Sequence, residues 1–268
     1  MMTRMFAILG IAMALGMPAH AHISYGGRDF GSYTGLAPDT DTISNQAITS
    51  NYGWADATDA DFGDSHRSRA FRFHLDNAAW VTITAAANPT ATGTSVGGLL
   101  PGFSVYGGLA HVAPAAADHD FSTQSQLYLA SLGGFQPKEG SWVALGDWRI
   151  GSDESMSFAD LSTFSFMGYA VDGTAANFGA APGVVGDGIA DGLVKGSFLL
   201  GPGDYSIFVG GADYAAQDPD NPSLLSPYGL SLTLSVAPVR EPAGFGVILV
   251  GLVAVGAMRN RVCRAQAA

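Results

Sequence analysis

The sequence predicts an all-β protein: an antiparallel β-sandwich of jelly-roll type, carried between a cleaved N-terminal signal helix and a C-terminal apolar helix. Three features lead there. Short segments alternate apolar and polar residues, which is the period of a half-buried strand. Gly, Pro, Asp and Asn separate them, and many of the 36 glycines fall at these turns. Only one internal segment has helical spacing, so a helix-rich architecture is excluded.

The chain opens with Arg4, a nearly unbroken apolar run from Met5 to Met17, and then Ala19-His20-Ala21. A short positive region, an apolar stretch too short to span a bilayer and a small-x-small site form a secretory signal peptide. Cutting after Ala21 leaves His22 as the first residue, whereas cutting a residue or two away does not. Residues 22–53 carry weak strand signals and are expected to wrap onto the sandwich. Ala70 to Asp76 and Ala79 to Ala87 alternate cleanly on either side of Asn77, as a hairpin or one bent strand. Leu99 to Ala110 is a glycine-bounded strand. Phe121 to Leu132 is the helical piece. SWVALGDWRIG and STFSFMGYAVDG supply two further strands. Gly196 to Ala212 holds two strands around the Gly201-Pro202-Gly203-Asp204 turn, and Tyr228 to Val236 closes the domain.

The far end has its own anatomy. Ala243 to Met258 is continuously apolar, and Arg259, Arg261 and Arg264 follow it. That order favours a cytoplasmic C-terminus behind a transient membrane anchor. The expected organisation is a signal peptide over 1–21, one exported β-sandwich over 22–239 and a sorting segment over 240–268.

Charge narrows the partners. The chain carries 12 Lys+Arg and 23 Asp+Glu, a net charge of −11. Without the five arginines and the single glutamate of the two end segments, residues 22–239 keep 7 basic and 22 acidic side chains, a balance of −15. Such a surface repels nucleic acid and concentrates cations. The one cysteine, Cys263, lies in the basic tail, so the exported part has neither disulfide nor thiolate ligand.

The chemistry-bearing residues are therefore histidines and carboxylates. No G-x-S-x-G elbow, phosphate loop or dinucleotide fingerprint occurs, and Glu139 and Glu154 are the only exported glutamates. This argues against an enzyme more than for one. The exported histidines are His22, His66, His74, His111 and His119. His119 stands between Asp118 and Asp120, which suit a ligand and its orienting partners. A terminal His22 would offer both its α-amine and its Nδ1, and imidazole nitrogens suit copper. The expected ligands are His22, His111, His119 and His74. Calcium is the alternative ion, with Asp56, Asp59, Asp61 and Asp64 crowding one loop and Asp187 and Asp191 in another. Neither loop has the spacing of an EF-hand.

Four resemblances add to this. Glu241-Pro242 with the apolar helix and arginine tail resembles the PEP-CTERM sorting signal of Gram-negative bacteria, although Arg240 replaces the first proline. The resemblance implies signal peptidase and an exosortase-type protease as processing partners, and a destination in extracellular polysaccharide. FRFHLDNAAWVTITA, GFSVYGG and FLLGPGDYSIFVGG resemble prepeptidase C-terminal-type β-sandwich modules. A terminal His22 resembles the histidine brace of lytic polysaccharide monooxygenases and their copper-carrying relatives. His74, Trp80 and His111 or His119 are similar to the two histidines and oxidised tryptophan with which secreted surface proteins of methane-oxidising bacteria hold copper(I). The expectation is an exported, copper-binding surface or matrix protein. The alternatives are a metal-free structural or adhesive matrix protein and a copper-dependent oxidative enzyme acting on polysaccharide.

Overall fold

The computed structural model describes residues 23–54, 62–110, 123–132, 140–151, 156–174, 184–217 and 225–239. The signal and sorting segments expected at the two ends lie outside them. Among the described residues no helix is long and apolar enough to cross a membrane.

The strands, in chain order, are β1 (Asp29–Tyr33), β2 (Asp39–Thr49), β3 (Phe62–Asp64), β4 (Arg69–Leu75), β5 (Ala79–Ala87) and β6 (Pro101–Gly107). Helix α1 (Thr123–Ser131) follows, then β7 (Ser141–Val143), β8 (Trp148–Ile150), β9 (Ser162–Val171), β10 (Leu193–Leu200), β11 (Gly203–Gly211) and β12 (Pro227–Pro238). One sheet has the order β1-β4-β11-β6-β9-β8, a second β10-β5-β12-β2, and β3 pairs with β7 in a small third sheet. Every pairing is antiparallel except β1 with β4. The chain is thus the all-β sandwich that its patterning predicts.

Alternation decides what faces the core. Phe71, Phe73 and Leu75 of β4 meet Val81, Ile83 and Ala85 of β5 across the sandwich, with Val105, Ile207, Leu232 and Leu234 beside them. Each of these Val, Leu, Ile and Phe side chains, buried to this degree, contributes about 1.5–3 kcal/mol of transfer free energy. The two inward sets lie in different sheets, so the turn at Asn77 is a corner where the chain changes sheet, not a hairpin. The turn after Leu200 is a second such corner. Leu75 pairs with Gly203 and Ala79 with Leu200, so the two corners lie side by side.

A second core covers the outer face of the six-stranded sheet. Tyr106 and Phe208 point outward into Trp54, Trp142, Trp148 and Phe164, all almost fully buried. Gly102 lets Trp54 lie directly on β6, because a Cβ there would stand 2.6 Å from the indole. The Trp54 Nε1 donates to Ser104 Oγ at 3.0 Å, and Ser104 donates on to the Ala144 carbonyl. Helix α1 buries Leu129 in this layer. The expected wrapping of residues up to Gly53 takes the form of two edge strands. In β2, Asp39 to Thr42 are exposed, and only Ile48 is fully buried. This polar edge reads in sequence as a loop.

Candidate functional site

The part of the six-stranded sheet left uncovered by aromatics carries the candidate site. Arg72 and His74 project outward from β4, and Asp204 and Ser206 project beside them from β11. The register pairs Asp204 with His74 and Ser206 with Arg72. Residues two apart on a strand share a face about 6.5–7 Å apart. The Ser206 hydroxyl is therefore one step along the sheet from the His74–Asp204 pair.

Two distant segments converge on that serine. Ser206 Oγ donates to the Gly108 carbonyl at 2.7 Å and lies 2.8 Å from the Tyr25 hydroxyl. Because the serine proton goes to Gly108, the Tyr25 O–H donates to Ser206. The Tyr25 oxygen in turn accepts from the Ala110 N–H at 3.0 Å. Gly108 N–H also donates to the Asp204 carbonyl. Ile23, Tyr25 and Ala110 are buried in one cluster. The backbone just after His22 is thus fastened to the backbone just before His111. His22, His111 and His119 themselves lie outside the described residues.

His74 lines an open groove of about 450 Å³ with Asp29, Arg72, Asp76, Leu109 and Asp204. Its Nδ1 is 2.7 Å from Asp204 Oδ1, and its Nε2 is 3.4 Å from Asp76 Oδ1. The hydrogen bond to Asp204 raises its pKa, and the charges of Asp204 and Asp76 add to the effect. Arg72 forks onto Asp29 through Nε at 2.7 Å and Nη2 at 2.6 Å. With a carboxylate at each ring nitrogen, His74 favours a proton over a metal ion. A cation would first have to displace that proton and one carboxylate.

The other predicted groups are dispersed. Trp80 is 47% exposed on the outer face of the four-stranded sheet. His74 is on the outer face of the other sheet, so the whole sandwich separates the two. A copper site sharing both, as the methane-oxidiser resemblance implied, is ruled out by this separation. His66 Nδ1 is held by Asp64 Oδ1 at 3.0 Å. The Asp64 Oδ2 is taken by Arg67 Nε, also at 3.0 Å. Asp56, Asp59 and Asp61 lie outside the described residues. Asp187 and Asp191 cap their own loop by accepting the N–H groups of Ile189 and Leu193. Beside them Asp172, which no sequence pattern singled out, is fully buried and accepts from the N–H groups of Asp191 and Gly192. Among the described residues, no group of three or more His, Cys, Asp or Glu side chains is arranged to hold a metal ion.

No known protein family matches the sequence, and no curated protein does. Solved structures do align over most of the chain. CorA, a surface-associated copper-binding protein important in copper acquisition by Methylomicrobium album BG8, is 15% identical at a TM-score of 0.42, over 78% of this chain and 97% of that one. MopE, a secreted protein of Methylococcus capsulatus in which an oxidised tryptophan facilitates copper binding, is 15% identical at a TM-score of 0.36, over 79% of this chain and 87% of that one.

Proposed function

We propose that this is an exported surface or matrix protein that binds one copper ion through His22 and an imidazole of the His111–His119 segment, next to His74. One observation carries the reading: Tyr25 joins the chain after His22 to the chain before His111, one step along the sheet from His74. The chemistry agrees with it. With no thiolate in residues 22–239, nitrogen donors are the best copper ligands available. After cleavage at Ala21 the α-amine, with a reference pKa of about 7.7–8.0, would yield its proton to a metal near neutral pH. The segment from Arg240 onward serves sorting in this reading and is removed.

The test is copper titration of the secreted protein, with its N-terminus fixed by intact mass. His22→Ala, His111→Ala and His119→Ala are compared, together with a variant carrying one extra residue before His22. A start at His22, with steep loss of affinity in His22→Ala and in the extended variant, is the expected result. Unchanged affinity in all four variants would overturn the reading. A metal-free matrix role is the second reading, favoured by His66 and His74, which already have carboxylate partners. The absence of saturable copper binding by the native protein would select it.

A further inference from the structure

Beside the candidate copper region, and independent of it, lies a second cleft of about 210 Å³. Arg28 and Arg69 line it together with Ser24, Ser65, Ser68 and Phe208. Both guanidinium groups are half-buried, and burial lowers the pKa of each. The proximity of Arg69 lowers that of Arg28 further.

Two cations held together out of water need a counter-charge. None comes from the described residues. Arg28 donates through Nε to the Ala70 carbonyl at 3.0 Å, through Nη2 to the Ser24 carbonyl at 2.6 Å, and through Nη1 to Gln46 Oε1 at 3.3 Å. Arg69 donates through Nη1 to the Ser68 carbonyl at 2.9 Å. All four acceptors are neutral. The neighbouring arginines differ: Arg67 sits on Asp64, and Arg72 on Asp29. Among the described residues the Arg28–Arg69 pair therefore has no carboxylate partner. Arg28 is held by three acceptors from separate segments, while among the described residues Arg69 makes one side-chain hydrogen bond, to the Ser68 carbonyl. Of the serines lining the cleft, Ser68 donates its hydroxyl to the Asp64 carbonyl at 3.0 Å.

We propose that this cleft binds an oxyanion, gripped between the planar forks of Arg28 and Arg69 with the Ser24 hydroxyl beside them. Guanidinium matches the paired oxygens of a carboxylate, sulfate or phosphate, and charge-assisted bonds in a partly dry site are the strong ones. The anion is either a free inorganic ion or a carboxylate or sulfate group carried on an acidic polysaccharide.

The experiment is calorimetric titration of the full secreted protein with sodium sulfate, against sodium chloride at equal ionic strength. One saturable sulfate site, absent with chloride, is expected, together with a raised unfolding midpoint. Arg69→Gln should weaken sulfate binding by roughly tenfold or more, since it removes one of two charged forks. It should also raise the midpoint of the anion-free protein, because the like-charge contact disappears. Arg69→Lys should recover part of the affinity. Arg69 carries the test because Arg28 also ties three segments together. Glucuronate and a tetra-uronide identify the source: tighter binding of the oligomer assigns the polysaccharide, and equal binding assigns the free ion. No saturable sulfate binding, or unchanged affinity in Arg69→Gln, would overturn the proposal.

Discussion

Tyr25 and Ser206, 181 positions apart in the chain, share a 2.8 Å hydrogen bond on the outer face of the six-stranded sheet. The bond belongs to a relay running from Ala110 N–H to Tyr25, on to Ser206 and then to the Gly108 carbonyl. Burial raises the Tyr25 pKa, so the relay keeps its phenolic proton at any ordinary pH.

Tyr25→Phe removes the acceptor for a buried N–H and the donor to Ser206. A loss of about 1–3 kcal/mol in unfolding free energy is expected, read by urea denaturation. On the proposed copper reading, copper affinity should fall in the same variant, because the two segments lose their fastening.

His74 should titrate above the ordinary histidine value of 6.5, as read from its ring resonances by NMR. Asp204→Asn should bring the pKa back down, since the Asp204 hydrogen bond is the largest cause of the rise. The sign for stability follows. A pKa raised in the folded state contributes stability that is complete below the unfolded value and disappears as pH rises through the folded one. The native protein should therefore lose its margin over His74→Gln as the pH rises above the ordinary histidine value of 6.5, and keep it in full at lower pH.

Gly102→Ala should destabilise the fold by about 1–3 kcal/mol, the usual cost of overpacking. The added methyl meets the Trp54 ring at 2.6 Å, and that ring is pinned by its bond to Ser104. A lowered thermal midpoint checks this. A shift in tryptophan fluorescence should accompany it.

Trp80→Ala should leave copper binding unchanged, because Trp80 and His74 occupy opposite outer faces. Its stability effect should stay within about 0.5 kcal/mol, as for most surface substitutions. Copper titration and chemical denaturation of the one variant decide both points.

Alternation made β4, β5 and β12 legible in the sequence, including which residues face the core. It did not reveal partners. A period of two is satisfied equally by a hairpin and by a corner between sheets, so the turn at Asn77 could be placed but not interpreted. Strand β2 was hidden by its own solubility: the run Asp39-Thr40-Asp41-Thr42 pairs along β12 while showing solvent the composition of a loop. At the candidate site, His74 stood out, but its main partner Asp204 is 130 residues away, and the pairing exists only through the β4–β11 register. The Arg28–Arg69 cleft left no sequence signal, since nothing local brings residues 28 and 69 together.

The four-stranded sheet also sets a schedule. Its strand β12 lies between β2 and β5, pairing Val236 with Asp39 on one side and with Val81 on the other. Until residues near 236 have been synthesised, β2 has no partner in this sheet and β5 has only β10. Closure over so long a loop is slow in any case. The four-stranded sheet, and with it the sandwich, is therefore completed only when its last strand arrives.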